Sequence, residues 1–168
     1  FFPEAINIPL FEDGPKISLK LEHIARANDV SADDAHDAIA DCNLMIDVTK
    51  KISDVIPDVF QSFLNISTKP GVMNLLNSDG FLALGEVFRR QMFRYPVVWC
   101  GSDPVRPNEI VFFDLSFDDP EEILELELSE IFKLINAGGR DGPLKKYKIN
   151  KTIPICHSDH LTDKTIFD

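Results

Sequence analysis

The chain has 168 residues, 44% of them hydrophobic, and a formal net charge of -11 at pH 7. That make-up is globular, with room for one generous domain or two small ones, and no apolar run approaches the roughly 20 residues that a membrane-spanning helix needs. So acidic a balance excludes a surface built for bulk duplex binding, where Lys and Arg neutralise the phosphates.

No basic stretch precedes an apolar one near Phe1, so no secretory leader is expected there. Residues 1–17 read as irregular, broken by Pro3, Pro9, Gly14 and Pro15. Ser18 is placed to cap a helix reaching about Asn28, with Leu21, Ile24 and Ala25 on one face. A polar turn over residues 29–34 leads to a second helix from about Asp37 to Ile52. Ala38, Cys42, Met45 and Ile52 form its apolar stripe, and Lys50 and Lys51 suit the negative end of its dipole.

After a break at Pro57, a third helix is expected over residues 59–66, ending before Lys69-Pro70-Gly71. The texture then changes. Residues 92–100 and 110–117 are rich in β-branched and aromatic side chains and read as strands separated by Pro104–Pro107. Residues 128–137 read as a helix with Ser129 as cap, and residues 144–149 and 152–156 as two short strands. The fold class is α+β, a helical first third followed by a small, mostly β unit.

Cys42, Cys100 and Cys156 are too few and too scattered for a disulfide framework, and no CxxC pair suggests zinc; a cytoplasmic setting is expected. Charge is uneven. Residues 1–60 hold 5 basic against 12 acidic side chains. Arg140, Lys145, Lys146, Lys148 and Lys151, by contrast, crowd into twelve positions with Asp141 as the one acid. That basic run is the candidate for touching a phosphate backbone or an acidic peptide.

The segment Ala35-His36-Asp37-Ala38-Ile39-Ala40-Asp41 carries the chemistry. Two-metal nucleases hold a pair of cations on several carboxylates, and a histidine titrating near neutrality takes the proton from the attacking water. His36 stands just before the second helix, and Asp41 one turn inside it. Asp34 and Asp37 also suit a purely local duty, capping the helix and matching its positive end. The His-Asp dipeptide also admits a metal phosphohydrolase reading with His23 as a further ligand. Nothing ties the distant His157 and His160 to such a site.

With Leu21-Glu22-His23-Ile24 and Ala27-Asn28 upstream, this segment resembles the bacterial exodeoxyribonuclease I family, within the proofreading-type 3′→5′ exonucleases. Shorter likenesses continue through Phe113-Asp114-Leu115, Ile123-Leu124-Glu125-Leu126 and Ile149-Asn150-Lys151. The resemblance implies that residues 1–56 form the C-terminal part of a ribonuclease-H-like exonuclease domain and residues 57–168 an SH3-like accessory barrel. It implies His36 as general base, Asp41 as metal ligand, magnesium as cofactor and single-stranded DNA as substrate. The acidic tail of single-strand-binding protein is implied as a partner, with the basic run and Phe93, Tyr95 and Trp99 suited to such contacts; for those aromatics a place in the barrel core is the simpler reading.

One departure is large. The family opens with Asp-x-Glu and adds an aspartate before the histidine, whereas residues 1–35 contain no such triplet; Asp119-Pro120-Glu121 lies in the later part. The expectation is a partial chain, inactive alone. The alternative is a noncatalytic binding module with a vestigial nuclease segment. Apolar faces left uncovered, Leu21/Ile24 and Ala38/Cys42/Met45, predict self-association.

Overall fold

The computed structural model describes residues 5–11, 14, 16–32, 37–117, 119–137 and 142–161. Contacts divide the chain into two compact units. The first comprises residues 1–62 and 86–93, the second residues 63–85 and 94–168.

In the first unit, helix α1 (Leu21–Ala27) precedes helix α2 (Ala38–Val55), followed by α3 (Pro57–Asn65), which runs across the boundary. Ser18 does not cap α1. Lys20 occupies that position without a side-chain bond, and the Ser18 hydroxyl, buried, lies 2.8 Å from His23 Nδ1. Asn28 closes the C-terminal end of α1. Its amide donates to the carbonyls of Asn7 (2.8 Å) and Ile24 (2.7 Å), and its oxygen accepts from the Asn7 N–H at 2.7 Å. Asn28 is 2% exposed, so losing these partners strands buried polar groups. Asn28→Ala is expected to destabilise the first unit by about 1–3 kcal/mol, read as a lower urea midpoint.

Asp37 caps α2, accepting from the N–H groups of Ile39 and Ala40 at 3.0 and 3.3 Å. The core of this unit is Ala25, Ala32, Leu44 and Val48, with Leu21, Ile24 and Ile52 packed against it. The Leu21/Ile24 face expected to be uncovered is therefore covered, because α2 lies on it. The buried stripe of α2 is Leu44 and Val48, not Ala38, Cys42 and Met45. Apolar residues surround this helix, and the small Ala25 and Ala32 admit the Leu44/Val48 side at close range. Ala38 and Cys42 remain exposed, as do Ile39 and Met45 at 73% and 55%.

The second unit is built on a five-stranded sheet of order β4-β3-β2-β1-β5. Its strands are β1 (Leu82–Phe88), β2 (Gln91–Ser102), β3 (Glu109–Asp114), β4 (Leu144–Lys148) and β5 (Ile155–His157). The β1/β5, β2/β3 and β3/β4 pairs are antiparallel. A register shift between Trp99 and Gly101 marks a bulge, and the φ of +142° at Gly101 is one that glycine adopts readily. Helices α4 (Lys69–Leu76), α5 (Pro120–Leu124) and α6 (Leu128–Ala137) complete the unit. The third helix does end before Lys69-Pro70-Gly71, and that segment opens a further helix that the sequence reading did not anticipate. Thr68 caps it, accepting from the Gly71 N–H at 3.2 Å, and Pro70 falls in the first turn, where no intrahelical donor is lost. Asp119-Pro120-Glu121 repeats that device, with Asp119 accepting from the Glu121 N–H at 2.8 Å. Ser129 lies inside α6 and does not cap it.

Strand alternation sorts the sheet. Ile110 and Phe112 are fully buried on one face, with Val97 and Leu84 equally enclosed; Phe112 meets Tyr147 edge to face at 6.1 Å. The alternate residues Val111, Phe113 and Leu144 line a cavity with α5 and α6.

Candidate functional site

The first candidate region is the start of α2. Asp41 sits in its first turn, half-buried, with its backbone N–H bonded to the Asp37 carbonyl at 2.8 Å. On helical spacing it borders the buried Leu44/Val48 stripe. His36, with Asp33, Asp34 and Ala35, lies outside the described residues. Among the described residues no group of three His, Cys, Asp or Glu side chains is placed to hold a metal ion. One aspartate from this motif does not by itself build a two-metal centre.

Two of the other histidines have local duties. His23 Nε2 lies 3.4 Å from Glu22 Oε1, the opposite ring nitrogen being beside Ser18. His157 caps a single 3₁₀ turn, its Nδ1 accepting from the Asp159 N–H at 3.1 Å and its Nε2 beside the Asp79 carbonyl. Both are accounted for without a metal.

The second region is the basic run, and alternation divides it. Arg140 lies outside the described residues. Lys145 points to the core face. Its ammonium is 3.4 Å from Asp114 Oδ2 and 4.3 Å from the centroid of the Tyr95 ring, and both charged side chains are under 5% exposed. Lys145 is thereby a buried structural partner, withdrawn from solvent. Lys146 and Lys148, two apart, share the opposite face. Lys151, exposed in the turn after β4, lines a hollow of about 320 Å³ with them and Glu109.

Glu109 is the residue that sequence reading missed. It opens β3 directly across from Lys148 and two residues before Val111, the partner of Lys146. Its carboxylate is 3.3 Å from the Arg106 guanidinium, 3.5 Å from Lys146 Nζ and 3.9 Å from Lys148 Nζ. Lys146 also donates to Asn136 Oδ1 at 2.9 Å. Arg106 is held a second time by Asp103 at 3.1 Å, and that carboxyl sits below its ordinary range. The main cause is the Arg106 N–H that it accepts, followed by the Val105 N–H. The result is a fan of three cations on one buried acid, on a chain whose overall charge is strongly negative.

Beside the fan lies the larger cavity, about 600 Å³, with Val98, Val111, Phe113, Ile131 and Ile135 inside and Arg106 and Lys146 in its wall. Cys100 also lines it, and burial raises its thiol above the ordinary value. Cys156 is buried and pushed up to about 11 by desolvation, whereas Cys42 is exposed on α2. A thiol reagent at mildly alkaline pH is expected to label Cys42 first, Cys100 more slowly and Cys156 only on unfolding, followed by mass spectrometry.

Comparison with known proteins identifies the class. Exonuclease I from Methylocaldum szegediense superposes with a TM-score of 0.72 at 27% identity, over 95% of this chain and 36% of that one. Escherichia coli exonuclease I in complex with a dA16 oligonucleotide gives 0.68 at 25% identity, over 96% and 36%. The fold is therefore the α+β fold of the corresponding part of exonuclease I. In sequence, a curated Buchnera aphidicola relative named exodeoxyribonuclease I is 29% identical over 145 residues, 77% of this chain and 29% of the relative. No protein-family profile matches the chain. The chain is thus similar to bacterial exodeoxyribonuclease I, and it spans about a third of the length of the relatives it matches.

Proposed function

We propose that this chain is part of a 3′→5′ exodeoxyribonuclease acting on single-stranded DNA. The likeness that supports this most directly is to exonuclease I holding a dA16 strand, over nearly the whole of this chain. Residues 1–56 then correspond to the end of a ribonuclease-H-like domain and residues 57–168 to an SH3-like accessory domain. Asp41 is one ligand of a divalent-metal centre, with magnesium as the cation, and His36 is the general base.

The chain's own contribution is positional. Asp37 fixes the first turn of α2, and packing of Leu44 and Val48 on α1 fixes the rotation of that helix. Together they set the direction of Asp41. One carboxylate does not build the centre, so this 168-residue chain on its own is expected to be inactive.

The fan around Glu109 favours a second, compatible role for the other unit: binding the sugar–phosphate backbone of single-stranded DNA through Arg106, Lys146, Lys148 and Lys151. The acidic tail of single-strand-binding protein is the other partner with matching charge. Self-association through the exposed Ile39/Cys42/Met45 side of α2 completes the reading.

The test is an end-labelled single strand incubated with the chain in magnesium and in EDTA, beside His36→Ala and an intact relative. The expected result is no shortening by the chain in either lane while the relative digests the strand. Magnesium-dependent 3′→5′ shortening that disappears in His36→Ala would overturn the expected inactivity.

A further inference from the structure

Glu109 poses a problem for any surface meant to meet phosphate. An acid there repels the ligand, yet this one is placed at the centre of the cations and not at their margin. Its side chain is 9% exposed, and its Oε2 has no hydrogen bond. A carboxylate withdrawn from water in this way is costly unless compensated by charge. Three cations from separate places supply that charge: Arg106 from the β2–β3 connection, and Lys146 and Lys148 from β4.

The geometry leaves donors over. Each ammonium carries three N–H groups and the guanidinium five, while the carboxylate offers two oxygens, set beneath them. The outward N–H groups of Lys148 and Arg106, both more than half exposed, are directed to solvent by the inward ones. Long basic side chains normally lose rotamer freedom when they grip a ligand. Here much of that ordering is done in advance.

We propose that Glu109 is a positioning residue, a buried carboxylate that pre-orders Arg106, Lys146 and Lys148 for contact with the phosphates of a single strand. The proposal rests on the reading of this face as a single-strand surface. It makes a claim with an unusual sign. Removing a negative charge from a phosphate-binding face should, by Coulomb attraction alone, tighten binding. Removing this one loosens it.

The experiment uses the full chain and a labelled oligo-dT strand. Binding is measured across a salt series for the native chain, Glu109→Gln, Glu109→Asp and the control Lys146→Ala/Lys148→Ala. Glu109→Gln is expected to bind about three- to tenfold more weakly despite the gained positive charge. Glu109→Asp, which keeps the charge one methylene short of the cations, is expected to fall between it and the native chain. In parallel, the lysine ammonium resonances of the native chain are followed by nitrogen-edited NMR. Those of Lys146 and Lys148 are expected to be sharp, and to broaden in Glu109→Gln while the backbone spectrum is retained.

Tighter or unchanged binding by Glu109→Gln, with the double lysine variant weakened, would overturn the positioning role while leaving the surface in place. Equal binding by the native chain and the double lysine variant would instead remove the surface itself, and the proposal with it. Unaltered ammonium signals in Glu109→Gln would overturn the pre-ordering whatever the binding result.

Discussion

Lys145→Met is expected to destabilise the second unit by about 3–5 kcal/mol, the penalty for leaving one member of a buried ion pair without its partner. The native pair is enclosed on every side. The Lys145 and Asp114 side chains are 4% and 2% exposed, and the ammonium also lies over the Tyr95 ring. Without Lys145 the Asp114 carboxylate keeps the Ser116 N–H at 3.0 Å. At the usual sensitivity of domains of this size, the loss corresponds to a fall in Tm of about 6–20 °C. The double variant Lys145→Met/Asp114→Asn separates pair from packing. It is expected to recover most of the loss, because a neutral amide keeps the bond to Ser116 while the stranded charge is gone. A double variant as unstable as Lys145→Met would show that the aliphatic stem and the ring contact carry the stability instead. Thermal and urea unfolding of the native chain, Lys145→Met, Asp114→Asn and the double variant decides the matter through the coupling term.

That burial explains where the sequence was readable and where it was not. Residues 128–137 announce α6 through their apolar spacing, and the β-branched residues of 92–100 and 110–117 announce β2 and β3. Local signals of those kinds survive folding because tertiary packing agrees with them. At Lys69-Pro70-Gly71 the local signal is incomplete: the preceding helix ends before it as expected, but Pro in a first turn also opens α4. The glycine has a reason visible only in three dimensions: a Cβ there would come within 1.8 Å of the Asn65 carbonyl oxygen. The stripe of α2 was ambiguous because apolar residues surround the helix, and only the small residues of α1 select the side that is buried. In the basic run, contiguity hid a period of two. Reading residues 144–148 as a strand already separates Lys145 and Tyr147 from Lys146 and Lys148. No pattern along the chain foretells Glu109, whose role depends on register with β4, 35 or more residues on.

The same division by faces sets the largest functional effect. Lys146→Ala/Lys148→Ala/Lys151→Ala removes three cations from one side of the sheet and leaves the Lys145–Asp114 pair untouched on the other. Each phosphate contact to a single strand contributes about 0.7 to the slope of log K against log salt. Four contacts, Arg106 included, therefore make native binding fall about 50-fold between about 50 and 200 mM salt. The triple variant, which keeps Arg106, is expected to lose at least about tenfold in affinity at the lower salt and to retain a slope of only about 0.7. Its Tm is expected to fall by several degrees, because Arg106 alone is then left to compensate the buried Glu109 carboxylate, so binding is compared at a temperature where both proteins are folded. Charge alone would favour any three lysines equally, so Lys16→Ala/Lys20→Ala/Lys50→Ala, all in the first unit, serves as the matched control. If the control weakens binding as much as the triple variant, the attraction is diffuse and the face around Glu109 has no special part in it. A steep slope that survives in the triple variant would place the phosphate contacts elsewhere on the chain.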